Sequence, residues 1–162
     1  MADEDVQGAV PGEPPRGMYP ARLDEKGRLK LPEKFQRYLG GLPEPKLFVT
    51  SLDRHMALVY PIGIWRENEK LFANHRDNPK VAKKVWFTAQ ELGSEVEMDN
   101  QGRVQFSPEL RRELRIENQP VKVLVDNGVI QVMSEEIFHA RKAEAAQTPE
   151  DDVEMLQRAG LK

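Results

Sequence analysis

Alternating apolar and polar positions begin at Met18 and recur in short bursts down the chain. Met18–Leu23 and Arg28–Leu31 alternate with the period of half-buried strands, and the residues between them predict a tight hairpin. Pro32–Leu39 then has helical spacing and is stopped by Gly40-Gly41. Lys46–Ser51 and Met56–Tyr60 predict a second strand pair, with an amphipathic helix over Ile62–Asn74 after it. Next comes a helical stretch near Val81–Leu92, with Val81, Val85, Ala89 and Leu92 on one face. The order of elements then starts again. Strands are predicted over Glu95–Met98 and Arg103–Phe106, then a helix over Pro108–Arg115 with Ser107 as N-cap and Pro108 as its first residue. Val121–Val125 and Val129–Val132 pair across Asp126-Asn127-Gly128, where Asn-Gly is a strong hairpin signal. Ser134 caps a last helix running to about Gln147. Each half therefore reads ββαββα, and the fold class is α+β.

The duplication is also visible residue by residue. Asp24-Glu25-Lys26-Gly27-Arg28-Leu29-Lys30-Leu31-Pro32 returns 75 residues later as Asp99-Asn100-Gln101-Gly102-Arg103-Val104-Gln105-Phe106-Ser107-Pro108, with one residue inserted before the proline. In this turn, Asp24 and Asp99 bond backbone amides ahead of them. Gly27 and Gly102 supply the left-handed conformation that a type I turn with a bulge requires. The arginine after each glycine starts the return strand at the bulge, where a side chain can be aimed outward. Two readings of that arginine remain open. It can pair with its own aspartate across a surface turn, or it can enter a DNA groove on a twisted β-ribbon.

Charge sharpens the choice. The chain of 162 residues has a formal net charge of −3, which argues against nucleic acid as a partner. Most of that acidity lies at the ends. Residues 1–16 hold four acids and one base, and residues 148–162 hold four acids and two bases. Of the 24 bases and 27 acids in the chain, 21 and 19 are left between 17 and 147, a charge of +2. Residues 16–38 carry seven bases against three acids, whereas residues 95–117 carry four against six. The first hairpin thus has the electrostatic footprint of a phosphate-binding surface, and Arg103 reads as mainly structural. Lys83-Lys84 could add phosphate contacts, although a solvated helix face is the simpler account.

The pattern divides the chain into an acidic arm predicted to be disordered (1–16), a first half (17–75), a joining helix plus second half (76–147), and an acidic tail (148–162). Val153, Leu156 and Ala159 allow a short helix in that tail, which could equally remain loose. Other chemistries find no support. There is no cysteine, so disulfides, thiol catalysis and cysteine-ligated zinc are excluded. His55, His75 and His139 lack metal-ligand spacing. Asp53, Asp77 and Asp126 fall in turns without a partner acid, and no Gly-rich phosphate loop occurs. Trp65 and Trp86 lie on helical apolar faces, as core or interface residues. No cofactor, metal, small-molecule substrate or enzymatic activity is expected. No stretch is apolar enough to span a bilayer, and the N-terminus lacks a secretory pattern, so a cytoplasmic protein is expected.

The doubled Asp-x-(Lys/Gln)-Gly-Arg turn resembles the MraZ family of the SpoVT-AbrB superfamily, as do Leu58-Val59-Tyr60-Pro61 followed by Trp65. The resemblance covers roughly Gly17 to Ala140. It implies a swapped-hairpin, AbrB-like β-barrel with peripheral helices, assembled into a ring-shaped homo-oligomer. It also implies a nucleoid-associated regulator of transcription, usually a repressor, at double-stranded promoter repeats upstream of cell-division and cell-wall genes. By position, the DNA-binding residues implied are Arg28 with Lys26, and Arg103 holds the equivalent place in the second half as an additional DNA contact; the basic first hairpin adds Arg22 and Lys30 to the expected site. The alternative is a structural or protein-interaction module that kept the barrel and lost DNA binding. Gln36 departs from the family, which usually has arginine directly after the phenylalanine of the first helix. So do the segment Lys83-Lys84-Val85-Trp86-Phe87 and the long acidic arm.

Overall fold

The computed structural model describes residues 13–162, so the predicted arm falls almost wholly outside the described residues. In chain order the elements are β1 (Tyr19–Arg22), β2 (Arg28–Lys30), α1 (Glu33–Gly40), β3 (Lys46–Thr50), β4 (Ala57–Pro61) and α2 (Ile62–Asn74). Then follow α3 (Pro79–Leu92), β5 (Ser94–Glu97), β6 (Arg103–Gln105), α4 (Pro108–Leu114), β7 (Pro120–Asp126), β8 (Val129–Ser134), α5 (Glu135–Ala145) and α6 (Pro149–Arg158). The predicted caps are in place. Ser107 Oγ accepts from the Leu110 amide at 3.2 Å, and Ser134 Oγ from Ile137 at 3.1 Å. Asn127 (φ 52°) and Gly128 (φ 81°) both turn left-handed, as a two-residue hairpin demands.

Antiparallel pairing interleaves the two halves. β1 pairs not with its own half but with β7, Tyr19 opposite Val123. In the mirror relation, β5 pairs with β3, Val96 opposite Leu47. The hairpins β3–β4 and β7–β8 join through β4 and β8, giving a six-stranded sheet in the order β1-β7-β8-β4-β3-β5. β2 and β6 leave this sheet and pair with each other as a separate ribbon. The hydrogen bonding thus does not draw the single closed barrel that was expected. The sheet stops at β1 and β5, and the turns after Leu23 and Met98 carry the chain into the ribbon instead.

The core records the duplication. Leu29 and Val104 face each other across the ribbon with no exposed surface, and Leu23, Leu31, Phe35, Phe106 and Leu110 close around them. A second cluster packs α2 and α3 on β3 and β4. Trp65 stacks on Phe48 at 4.5 Å and lies near Tyr60 and Phe72. The Thr50 hydroxyl, fully buried, donates to the Ala89 carbonyl at 2.7 Å and ties β3 to α3. Only the C-terminal part of α3 reaches the core. Ala89 and Leu92 are buried, but Val81 and Trp86 are exposed because the start of the helix runs past the sheet. Trp86 is therefore not a core residue, in contrast to Trp65.

Candidate nucleic-acid interface

Each repeat turn closes the same way. The Asp24 amide donates to Arg28 O at 2.9 Å, and the Gly27 amide donates to Asp24 O at 3.0 Å. The Asp24 Oδ1 accepts from the amides of Lys26 and Arg28, both at 2.9 Å, while Oδ2 accepts from Arg28 Nε at 2.8 Å. Asp99 repeats these bonds with Gln101 and Arg103 at identical lengths. Gly27 (φ 79°) and Gly102 (φ 74°) occupy the left-handed positions foreseen for them. The Arg28 amide, with its guanidinium and the Lys26 amide, holds the Asp24 carboxyl below the ordinary aspartate range, and Asp99 is lowered likewise by Arg103 and Gln101.

The structure shows the pairing reading of the arginines. Each arginine pairs with its own aspartate, but the bond uses only Nε of a guanidinium with five N–H donors. The ribbon register then decides where the side chains stand. Arg28 lies opposite Gln105, Leu29 opposite Val104, and Lys30 opposite Arg103. Because neighbouring residues in a strand point to opposite faces, Leu29 and Val104 go inward, and Arg28, Lys30, Arg103 and Gln105 share the outward face. Like charges directly opposite one another, here Lys30 and Arg103, oppose strand pairing. Lys30 Nζ also reaches the Gln101 carbonyl in the second turn, so the two turns meet at one surface. Exposed Lys26 stands at the tip of the first turn. Arg22 is set apart on β1, where its guanidinium donates to the Asn118 carbonyl at 3.0 Å.

Two further residues belong to this surface and were not foreseen. Arg111 of α4 lies against Gly27, where a Cβ would sit 1.4 Å from its Nη1. Its Nε is buried with no hydrogen-bond partner. Gln36 of α1 lies against Gly102 in the same way and donates to the Leu31 carbonyl at 2.8 Å. Each helix thus braces the other half's turn. The glutamine where the family usually has arginine falls on the less basic turn, and the second half supplies arginine at the matching place.

The internally duplicated α+β domain thus carries a two-stranded ribbon whose outward face is cationic, a form that the major groove of DNA admits. No family model matches the chain. Curated relatives do. A protein named Transcriptional regulator MraZ from Acidobacterium capsulatum is 34% identical over 137 residues, covering 85% of this chain and 93% of that protein. Those of Koribacter versatilis (38% identical, 64% and 71% covered) and Herpetosiphon aurantiacus (33%, 70% and 76%) carry the same name. The chain belongs to the MraZ family. No helix among the described residues is long and apolar enough to cross a membrane.

Proposed function

We propose that this chain is a sequence-specific DNA-binding transcriptional regulator that presents the β2–β6 ribbon to the major groove of double-stranded DNA. The observation that carries this reading is the register placing Lys30 opposite Arg103 and Arg28 beside them, on the face away from the core. The major groove admits a two-stranded ribbon, and arginine or lysine reads guanine there. Arg28 and Lys26 form the centre of the site, Lys30 and Arg103 extend it across the ribbon, and Arg22 makes a flanking phosphate contact. Asp24 and Asp99 orient the arginines, and Gly27 and Gly102 shape the turns beneath them.

The relatives' name supports transcriptional regulation as the role. The specific form proposed, from the resemblance of the doubled turn, is repression at promoter repeats upstream of cell-division and cell-wall genes. The protein then works in the cytoplasm, at the nucleoid, as a ring of copies. The exchange of β1 and β5 between halves 17–75 and 76–147 supports reading the domain as a swapped-hairpin, AbrB-like barrel completed through the ribbon. A gel shift with the DNA upstream of the protein's own gene, at stated salt, tests the function. Specific binding is expected, and Arg28→Ala should weaken it by about 1–3 kcal/mol while scrambled DNA is bound weakly by both. Equal affinity for operator and scrambled DNA would instead support the module without DNA recognition, in which Arg28 and Arg103 serve only their aspartates.

A further inference from the structure

The C-terminal helix α6 is a well-specified helix without a core. Pro149 starts it, Glu150, Asp151 and Asp152 favour its positive end, and Gly160 (φ 120°) ends it, with the Leu161 amide donating back to Leu156 O at 2.9 Å. Every residue from Arg141 to Lys162 is nevertheless exposed, Met155 at 67%. An isolated helix of 10 residues is marginal in water, since most helical stability comes from packing an amphipathic face. At 100° per residue, Val153 and Leu156 form one apolar stripe, bordered by Asp152 on one side and by Glu150 and Glu154 on the other.

A surface of matching character lies on α3. Lys80, Lys83, Trp86 and Phe87 fall on the arc turned away from Ala89 and Leu92, and Phe87 is 61% exposed. The helix has no acid before Glu91, which Arg54 engages at 2.6 Å, and Lys80 sits at the positive end where a cation is unfavourable. The two faces are complementary twice over: apolar stripe to apolar stripe, acidic borders to lysines. Within one chain they do not meet, since both are exposed.

We propose that α6 of one copy docks on the Lys80–Lys83–Trp86–Phe87 face of α3 in a second copy, clipping neighbouring copies of this chain together. The proposal rests on the self-association expected above, and not on DNA binding. The variant Val153→Asp/Leu156→Asp tests it in the full chain, because these residues touch no core and circular dichroism should show the domain intact. Sedimentation across a dilution series should show the assembly dissociating at a concentration at least tenfold higher than wild type. Acrylamide quenching should rise at the same time, as Trp86 becomes accessible while Trp65 stays buried. Lys80→Glu/Lys83→Glu should weaken assembly similarly, and adding Glu150→Lys/Asp152→Lys should restore it. The clip is overturned if Val153→Asp/Leu156→Asp leaves both mass and quenching as in wild type. It is equally overturned if quenching rises at unchanged mass, which places α6 on its own copy, or if mass falls without a change at Trp86. A monomeric wild type would remove the oligomer itself and the clip with it, whereas an intact oligomer indifferent to α6 removes the clip alone.

Discussion

Two glycine-to-alanine changes in this chain should move stability in opposite directions. Gly63 lies in α2, exposed, with nothing within 4 Å of the place its Cβ would take. Alanine there replaces the poorest ordinary helix residue, so Gly63→Ala should stabilise by about 0.5–1 kcal/mol. Gly27 is the reverse case. Its φ of 79° costs an L-residue about 1–2 kcal/mol, against roughly 0.4–1 kcal/mol recovered from a stiffer unfolded chain. The new methyl would also stand 1.4 Å from Arg111 Nη1 and 2.7 Å from its Cδ, so that side chain must leave its seat. Gly27→Ala should therefore be net destabilising, and the two variants should differ by about 2 kcal/mol or slightly more. Urea unfolding at one fixed protein concentration reads the difference as a shift in midpoint at constant slope, with concentration held because self-association adds to apparent stability. Adding Arg111→Ala to Gly27→Ala separates the clash from the backbone strain, and the double variant should recover only the clash. If Gly27→Ala proves as stable as Gly63→Ala, the turn geometry and its brace are both refuted.

The remaining predictions use other parts of the molecule. Asp24 and Asp99 have lowered folded pKa values, so their contribution is present above the ordinary aspartate value and is lost as pH falls through the folded one. Asp24→Asn/Asp99→Asn should accordingly flatten the acid limb of a stability–pH curve below about pH 4, and an unchanged limb would show that the turns do not carry it. Thr50→Val leaves the Ala89 carbonyl without its donor and should cost about 1–3 kcal/mol in urea, with hydrogen exchange rising in α3. Phe106→Ala opens the ribbon core and should cost about 3–5 kcal/mol, and a loss under 1 kcal/mol would contradict its full burial.

Local pattern carried most of the elements into view, because their determinants are short-range. Period-two alternation marks β2 and β6, the glycines mark the turns, and Ser107 and Ser134 mark helix starts. What the pattern hid was relation across the halves. Charge counts along the chain set Arg103 apart from the basic first hairpin, yet the β2–β6 register brings it beside Lys30. Arg111 and Gln36 occupy ordinary helix positions, and nothing within their own helices shows that each covers a glycine 66 or more residues away. Val81 shares the α3 stripe with Leu92 but is exposed, since periodicity reports which face is apolar and not how far the neighbouring sheet extends. Nor could alternation tell a closed barrel from a six-stranded sheet plus a ribbon, because both bury the same residues.

The exchanged strands also impose an order on folding. β1 is made almost first, but its partner β7 lies at the far end of the chain, and the ribbon likewise waits for β6. Such pairings pay a large loop-closure cost before any contact rewards them, which slows folding relative to a protein of local hairpins. During synthesis only the β3–β4 hairpin of the first half can close early, leaving its β3 edge open until β5 emerges. An open edge accepts any matching strand, including β5 of another chain, so crowded nascent copies can trade β5 as readily as keep it. Conversely, a ribosome pause before residue 94 should prolong the time for which the β3 edge stays unpaired.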